Sequence, residues 1–372
     1  MSPRVSVVIP TYNELDNIET LLEELRSVLE SSGIKDYEVI VVDDDSPDGT
    51  WRVVERISRE DSRVRLIRRV GVRGLGTAIV SGFNEARGDY VVVMDADFQH
   101  PPSLVPRLLI AAVESGAGVA VASRYARGGG VSGWSLLRRV VSLGALLLAW
   151  ILVPESRGTS DPVSGFFLVD RRRVSLDGVR GLGYKVLLEV LALNPEVKVV
   201  DVPYVFKPRR AGSSKLGLDD ILLYLVQVLA VSTVFRFATV GVTGVPVNLG
   251  VMALALSLGA PVDVASISGI EASIAWNYVW HELWTFKTRF KGGLRSVIGR
   301  YAGYHVSVAL GVLAQYATMR LLYTLLGLNP LLSQLAGVTL GFIVNYTLSK
   351  RKVWSAPAHS RGSPRVRGAV YS

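Results

Sequence analysis

DYVVVMDADFQH (89–100) joins two unlike halves. Tyr90 to Met94 is an unbroken apolar run, the pattern of a strand buried on both faces. Asp95 and Asp97 then stand one residue apart where that strand should end. An aspartate at a strand end is by itself a common solvated turn. Two earlier stretches repeat the pattern, however. VSVVIP (5–10) is a second short apolar run and leads into Thr11-Tyr12-Asn13-Glu14, and YEVIVVDDD (37–45) is a third that ends in carboxylates. Between them Glu14–Leu29 carries Leu and Ile at helical spacing with acidic residues in its first turns. SPDGT (46–50) is turn chemistry, Trp51–Ile57 is helical again, and VRLIRR (64–69) with a glycine-containing helix continues the alternation. This rhythm predicts an α/β domain with a doubly wound, mostly parallel sheet. Ligands bind such sheets at the carboxyl ends of the strands, so three polar clusters at one edge predict one site.

The chain has 372 residues, 49% of them hydrophobic, enough for two or three domains. Its mean hydropathy is positive, +0.34, which is unusual for a wholly soluble protein. The formal net charge of +9 is compatible with nucleic acid, a membrane surface or a phosphorylated substrate. There is no cysteine, which excludes disulfides and thiolate metal sites. Val5–Pro10 is too short for the apolar core of a signal peptide, so the first half is expected in the cytoplasm.

From about residue 235 the composition changes. Ala238–Leu258, Ala265–Leu283, Ala302–Leu322 and Leu331–Leu348 are four mostly apolar stretches near the roughly 20 residues that span a bilayer. Lys287, Arg289, Lys291, Arg295 and Arg300 follow the second, and Lys350, Arg351 and Lys352 follow the fourth. The other two connections, Gly259–Asp263 and Gly327–Pro330, hold no Lys or Arg. Basic loops stay on the cytoplasmic side, so both ends of this region are expected there. Arg236-Phe237-Ala238 and Arg300-Tyr301-Ala302, with Asn277-Tyr278 and Asn345-Tyr346, suggest two related hairpins. Gly337 and Gly341 would permit close helix packing. Glu271 inside the second stretch is either a functional carboxylate or a paired, water-reached one. Leu136–Val153 and Leu218–Val234 fit helices lying in a membrane interface, with ordinary core helices as the alternative. The tail after Trp354 is rich in Ser, Pro, Gly and Arg and is expected to be disordered.

Asp95 and Asp97 supply hard oxygen ligands suited to Mg2+ or Mn2+. An ion held by few carboxylates completes its shell with substrate phosphate and neutralises charge on a departing diphosphate. With Pro10-Thr11-Tyr12-Asn13-Glu14 at the first strand end and Asp43-Asp44-Asp45 at the second, the pattern resembles the family 2 glycosyltransferases of the A-type nucleotide-sugar-binding fold. DADFQHPP (95–102), SRY (123–125), DPVSGFF (161–167) and SSKL (213–216) are more similar still to the dolichyl-phosphate mannose synthases and bacterial polyprenyl-phosphate glycosyltransferases. The four stretches resemble the four-helix membrane domain attached to archaeal-type members.

That resemblance implies roles residue by residue. Pro10, Tyr12 and Glu14 would border the nucleotide, with Asp45 and Asp95 beside it, and Asp43 would hold the base. Asp95, Asp97 and Gln99 would bind the metal. Arg124, Arg138 (or Arg139), Ser142, Arg209 and Lys215 would hold the acceptor phosphate, and Asp97 and Arg124 would be catalytic. Asp161 and Ser164 would shape the site. It further implies residues 1–215 as a cytoplasmic catalytic domain, 216–234 as an interfacial connector, 235–354 as a multi-pass membrane domain and 355–372 as a basic tail. The expected reaction is inverting transfer of mannose from GDP-mannose to dolichyl or polyprenyl phosphate. A bilayer, not nucleic acid, is the expected partner. UDP-glucose as donor, or a lipid-linked sugar flippase with a regulatory soluble half, are the alternatives. His100, followed by two prolines, is expected to shape its loop. A phosphomonoester acceptor arrives as an anion and needs no base. Gly74-Leu75-Gly76 lacks the third glycine of a dinucleotide loop, and the Q-x-x-R-W signature of processive synthases is absent.

Overall fold

The computed structural model of the chain describes residues 4–207, 218–288 and 291–354. Arg209, Lys215, Arg289 and the tail 355–372 lie outside them. The chain divides into two units, Met1–Ser232 and Thr233–Ser372.

The first unit is built on a seven-stranded sheet. Its strands are β1 (Val5–Thr11), β2 (Tyr37–Asp43), β3 (Val64–Arg68), β4 (Tyr90–Val93), β5 (Val119–Ser123), β7 (Phe167–Asp170) and β8 (Val199–Pro203), in the order β3-β2-β1-β4-β7-β5-β8. Only β7 runs antiparallel to its neighbours, so the sheet is doubly wound and mostly parallel as expected. A small parallel pair, β6 (Gly130–Val131) with β9 (Val205–Phe206), stands apart.

The continuous apolar runs have a direct cause: both faces of the sheet are covered. Val7, Ile9, Val39, Val41 and Val92 pack against α1 (Leu15–Ser31) and α4 (Leu104–Ser115) through Leu21, Leu25 and Leu108. The alternate residues Val8, Ile40, Val42, Val91 and Val93 pack on the other side. They meet Phe83 of α3 (Leu75–Glu85) and Leu187 of α6 (Val186–Leu193). α2 (Thr50–Glu60) connects β2 to β3. The chain order reverses between β1 and β4, which opens the crevice in which doubly wound sheets bind ligands. Register places Thr11 opposite Asp43 at its lip.

α5 (Leu136–Leu152) and α7 (Leu218–Val231) answer both readings of their sequences. Leu146, Ala149, Tyr224 and Val228 are buried in a third core with Leu188 of α6, and the Tyr224 hydroxyl donates to the Ala145 carbonyl at 2.6 Å. Their outer faces are bare: Leu136, Leu137, Val140, Leu143, Leu147 and Ile151 on α5, and Leu222, Leu223 and Val226 on α7, are exposed. α7 belongs to the first unit and is not a free connector.

The second unit holds helices at all four apolar stretches: α8 (Thr233–Ser257), α9 (Val262–Trp280), α10 (Gly293–Leu326) and α11 (Pro330–Leu348). Among the described residues, α8 and α10 are long and apolar enough to cross a membrane. The repeat is present, in a register different from the Arg-Phe-Ala and Arg-Tyr-Ala matches. Gly244 of α8 packs on Asn277 of α9 as Gly311 of α10 packs on Asn345 of α11, and Gly269 meets the Asn248 carbonyl as Gly337 meets that of Gln315. Each hairpin ends in a wider helical turn, His281–Thr285 and Ser349–Val353. Gly341 lies so close to Gly311 that a Cβ would come within 2.7 Å of its carbonyl oxygen. Glu271 is paired, with His305 Nε2 at 3.0 Å and the Tyr301 hydroxyl at 2.7 Å.

Candidate active site

The lip of the crevice is assembled by side chains that satisfy one another. Asp43 is fully buried. Its Oδ2 accepts from the Thr11 hydroxyl (2.8 Å) and the Ser46 hydroxyl (2.7 Å), and its Oδ1 accepts from the Ser46 backbone N–H (2.8 Å). Asp43 therefore braces the turn after β2 and reaches no solvent. Asn13 and Asp45 take left-handed backbone (φ 61° and 56°), so both strand ends turn sharply outward. Asp45 pairs with Arg68, whose guanidinium lies 3.6 Å over the Trp51 ring. Asp44, not singled out in the sequence, accepts from Arg69 Nε (2.7 Å) and the Gly74 backbone (2.8 Å), tying β2 to the start of α3. Pro10 is buried within β1. Tyr12 is exposed with Arg73 4.7 Å over its ring, and Glu14 accepts from Asn17 Nδ2 at 2.8 Å.

β4 delivers Asp95 and Asp97 beside this lip. Phe98 also adopts left-handed backbone (φ 60°), which turns the chain so that the Gln99 N–H donates to Asp97 Oδ1 at 3.0 Å. The Gln99 Nε2 donates to the Lys207 carbonyl at 3.0 Å, which fixes the orientation of its amide. Among the described residues no three carboxylate, imidazole or thiolate side chains converge. The expected ligands Asp95, Asp97 and Gln99 offer two carboxylates and an amide, hard oxygen donors of the kind that suit Mg2+ or Mn2+. His100 is buried, stacked 4.9 Å from Phe166, and its Nδ1 accepts the Asp95 backbone N–H at 2.9 Å. Burial pushes this imidazole down to about 3, so it is neutral. It shapes the loop, as its two prolines suggested.

Two of the expected acceptor residues, Arg124 and Arg138, meet at one side chain, Trp134. Arg138 lies 4.6 Å over its ring and Arg124 5.4 Å, within cation–π reach. Arg139 is exposed, so Arg138 is the member of the pair turned this way. The Tyr125 hydroxyl donates to Ser142 Oγ at 2.8 Å, fixing Ser142 one turn along α5. Arg124 is held by buried Asp161 through Nε to Oδ2 (2.7 Å) and Nη2 to Oδ1 (2.8 Å). Ser164 Oγ donates to the Ala122 carbonyl at 2.8 Å and closes the loop beneath β5.

One residue was missed: half-buried Lys185. Burial pushes its ammonium down to about 8. Arg124 and Arg138 press in the same direction, and Asp95 and Asp161 oppose them. Its charge is thus felt by Asp95 on one side and by Arg124 and Arg138 on the other. GLGYKV (181–186) carries no sequence signal for this, because α7 sets the position of that loop.

The match to known proteins follows the same two units. Residues 6–171 match glycosyl transferase family 2, and residues 236–354 match the GtrA/DPMS transmembrane domain. A dolichol-phosphate mannosyltransferase of Pyrococcus furiosus is 37% identical over 359 residues, 95% of this chain and 99% of its own length. The chain belongs to the dolichol-phosphate mannosyltransferase family. It is a membrane glycosyltransferase. The Saccharomyces cerevisiae dolichol-phosphate mannosyltransferase is 37% identical over 64% of this chain and 90% of its own. Among crystal structures, Mycobacterium tuberculosis glucosyl-3-phosphoglycerate synthase is 26% identical, covers 62% of this chain and 79% of its own, and superposes with a TM-score of 0.45.

Proposed function

We propose that this transferase moves mannose, with inversion, from GDP-mannose to dolichyl or another polyprenyl phosphate at the cytoplasmic face of the membrane. One observation carries the reading. The paired arginines around Trp134 sit at the polar start of α5, and the rest of α5, with α7 beside it, exposes an apolar face. Burying a Leu or Val side chain is worth about 1.5–3 kcal/mol, so nine such side chains favour contact with lipid over water. Phosphate recognition next to a lipid-seeking face fits a lipid phosphate.

The nucleotide lies along Pro10, Tyr12 and Glu14. Asp43 faces no solvent, so contact with the base falls to rim groups such as Asp45 and Arg68. Asp95, Asp97 and Gln99 would hold a divalent cation, and such an ion would neutralise charge on the departing diphosphate. Arg124 and Arg138 pair with acceptor phosphate oxygens, the geometry for which a planar guanidinium is suited. Ser142 belongs to the same acceptor site; Arg209 and Lys215, expected there too, lie outside the described residues. Lys185 bridges the two halves as a further cation. A phosphate oxygen of the acceptor attacks the anomeric carbon as its bond to GDP breaks, giving a β-linked product from an α-linked donor. No proton moves, so the buried, neutral His100 is not needed as a base. The helices of the second unit cross the membrane as two hairpins with both ends cytoplasmic, in keeping with their basic connections.

Transfer of labelled sugar to dolichyl phosphate tests this, run with GDP-mannose or UDP-glucose, with and without Mn2+. Metal-dependent labelling from GDP-mannose alone is expected. Labelling from UDP-glucose alone would reassign the donor, and none from either would overturn the reading.

A further inference from the structure

The two-stranded ribbon touches both halves of the site. The Gly130 N–H donates to the Tyr204 carbonyl at 3.0 Å and the Ser132 N–H to the Phe206 carbonyl at 2.9 Å, so β6 is bonded along β9. At the end of β9 the Lys207 carbonyl accepts from Gln99 Nε2 at 3.0 Å. The Phe206 ring lies 6.1 Å from that of His100, which accepts the Asp95 N–H. Just past β6, Trp134 meets the Phe206 ring edge to face, 5.6 Å away at 74°. The half-buried indole is thus fixed by the same ribbon that bonds the Asp95–His100 loop.

Two guanidinium groups lie on this indole, Arg138 at 4.6 Å and Arg124 at 5.4 Å. Like charges repel one another, and a long arginine side chain loses rotamer freedom when it is held. A tryptophan face offsets both costs, because its π cloud attracts a cation and its plane restricts where a guanidinium can lie. Arg124 has other holds: both Asp161 oxygens, and the rings of Tyr125 and Phe206 at 5.5 and 5.6 Å. Arg138 enters from the first turn of α5, where its backbone N–H donates to the Ser135 hydroxyl at 3.3 Å and fixes the root of the side chain. The indole is the surface against which its head lies.

We propose that Trp134 is a positioning residue: its indole gathers Arg138 to the anchored Arg124, so that one acceptor phosphate meets both guanidiniums. Donors ordered in advance bind a phosphate without the cost of ordering them on binding. This rests on the acceptor role given to the two arginines above. A tryptophan that only filled space beside Phe206 could be replaced by any apolar side chain of similar reach. One that orients Arg138 needs an aromatic face.

Trp134→Leu and Trp134→Phe, each in wild type and in Arg138→Met, test this. The kcat and the KM for dolichyl phosphate and for GDP-mannose are measured on the full chain in detergent, with thermal unfolding beside them. Trp134→Leu is expected to raise the KM for dolichyl phosphate about tenfold and to leave that for GDP-mannose within about twofold. Trp134→Phe, which keeps an aromatic face, should recover most of that loss. In Arg138→Met the effect of Trp134→Leu should shrink below about twofold, since the group it positions is gone. Equal losses from Leu and Phe, an equal rise in both KM values, or an undiminished loss in Arg138→Met would make Trp134 a space filler and overturn the proposal. So would an unchanged acceptor KM in Trp134→Leu. An Arg138→Met enzyme with unchanged acceptor KM would overturn the acceptor role of Arg138 itself, a result distinct from failure of Trp134 alone. Should Arg138→Met turn over too slowly to measure, the Kd of labelled dolichyl phosphate is read in the same proteins. Should Trp134→Leu not fold, Trp134→Met takes its place.

Discussion

Arg124 and Asp161 meet in a two-point ion pair of 2.7 and 2.8 Å, and the Arg124 backbone N–H adds a third bond to Asp161 Oδ2 at 3.1 Å. Asp161 is fully buried and Arg124 nearly so. Removing one partner of such a pair leaves a buried charge unmatched, at a cost of about 3–5 kcal/mol. Asp161→Ala is therefore expected to lower stability by that order in denaturant unfolding and to abolish transfer. Asp161→Asn, which keeps the shape and one acceptor oxygen, should lose less stability while still raising the KM for the acceptor.

Asp201 on β8 stands behind that pair. Its carboxylate accepts from the Thr159 hydroxyl at 2.5 Å and from the Ser160 backbone at 2.8 Å, and Thr159 Oγ1 in turn accepts from the Asp161 N–H at 3.1 Å. Asp201→Asn should loosen this turn. We expect the KM for dolichyl phosphate to rise about three- to tenfold with the KM for GDP-mannose unchanged, because only the acceptor arginine is displaced.

Lys185 sets a pH limit. Burial lowers its pKa to about 8, with Arg124 and Arg138 lowering it and Asp95 and Asp161 raising it. The ammonium is present below that pH and lost above it, so the charge that the proposed reading gives to phosphate binding disappears as pH rises through about 8. The pH profile of kcat/KM should fall there in the wild type. In Lys185→Arg, whose guanidinium stays protonated, the fall should be absent.

The bare face of α5 predicts a dependence on membrane. Leu143 and Leu147 are exposed and touch no substrate phosphate in this reading. Changing both to Ser should reduce transfer to long-chain dolichyl phosphate in vesicles about tenfold or more. Transfer to a short-chain, water-soluble polyprenyl phosphate should be nearly unaffected.

Much of this architecture is legible in the sequence because double burial leaves a plain mark. The runs at 5–10, 37–42 and 90–94 are apolar but for Ser6 and Glu38, which bond each other across β1 and β2, and each run ends in the polar residues that reach the crevice. β7 is not legible as an antiparallel strand: Phe167–Asp170 is four residues long and reads only as the end of a motif. Asp43 and Asp44 look alike in sequence, yet Thr11 and Ser46 bury the first and Arg69 claims the second. Arg138 and Arg139 are separated only by the helical phase of α5 against Trp134. Lys185 and Gln227, whose amide bonds the Lys185 backbone, were invisible because their meeting depends on α7 packing beneath a loop some forty residues earlier, and Gln227 sits in an otherwise apolar run.

The central claim is that a phosphate anion, held by arginines and needing no base, attacks the sugar. The most direct measurement is the product formed from GDP-mannose with dolichyl phosphate and with dolichol, its anomeric configuration read by NMR. We expect a β-linked mannosyl phosphate from dolichyl phosphate and no product from dolichol. An α-linked product, or mannosylation of dolichol itself, would overturn the assignment of the acceptor site and the mechanism.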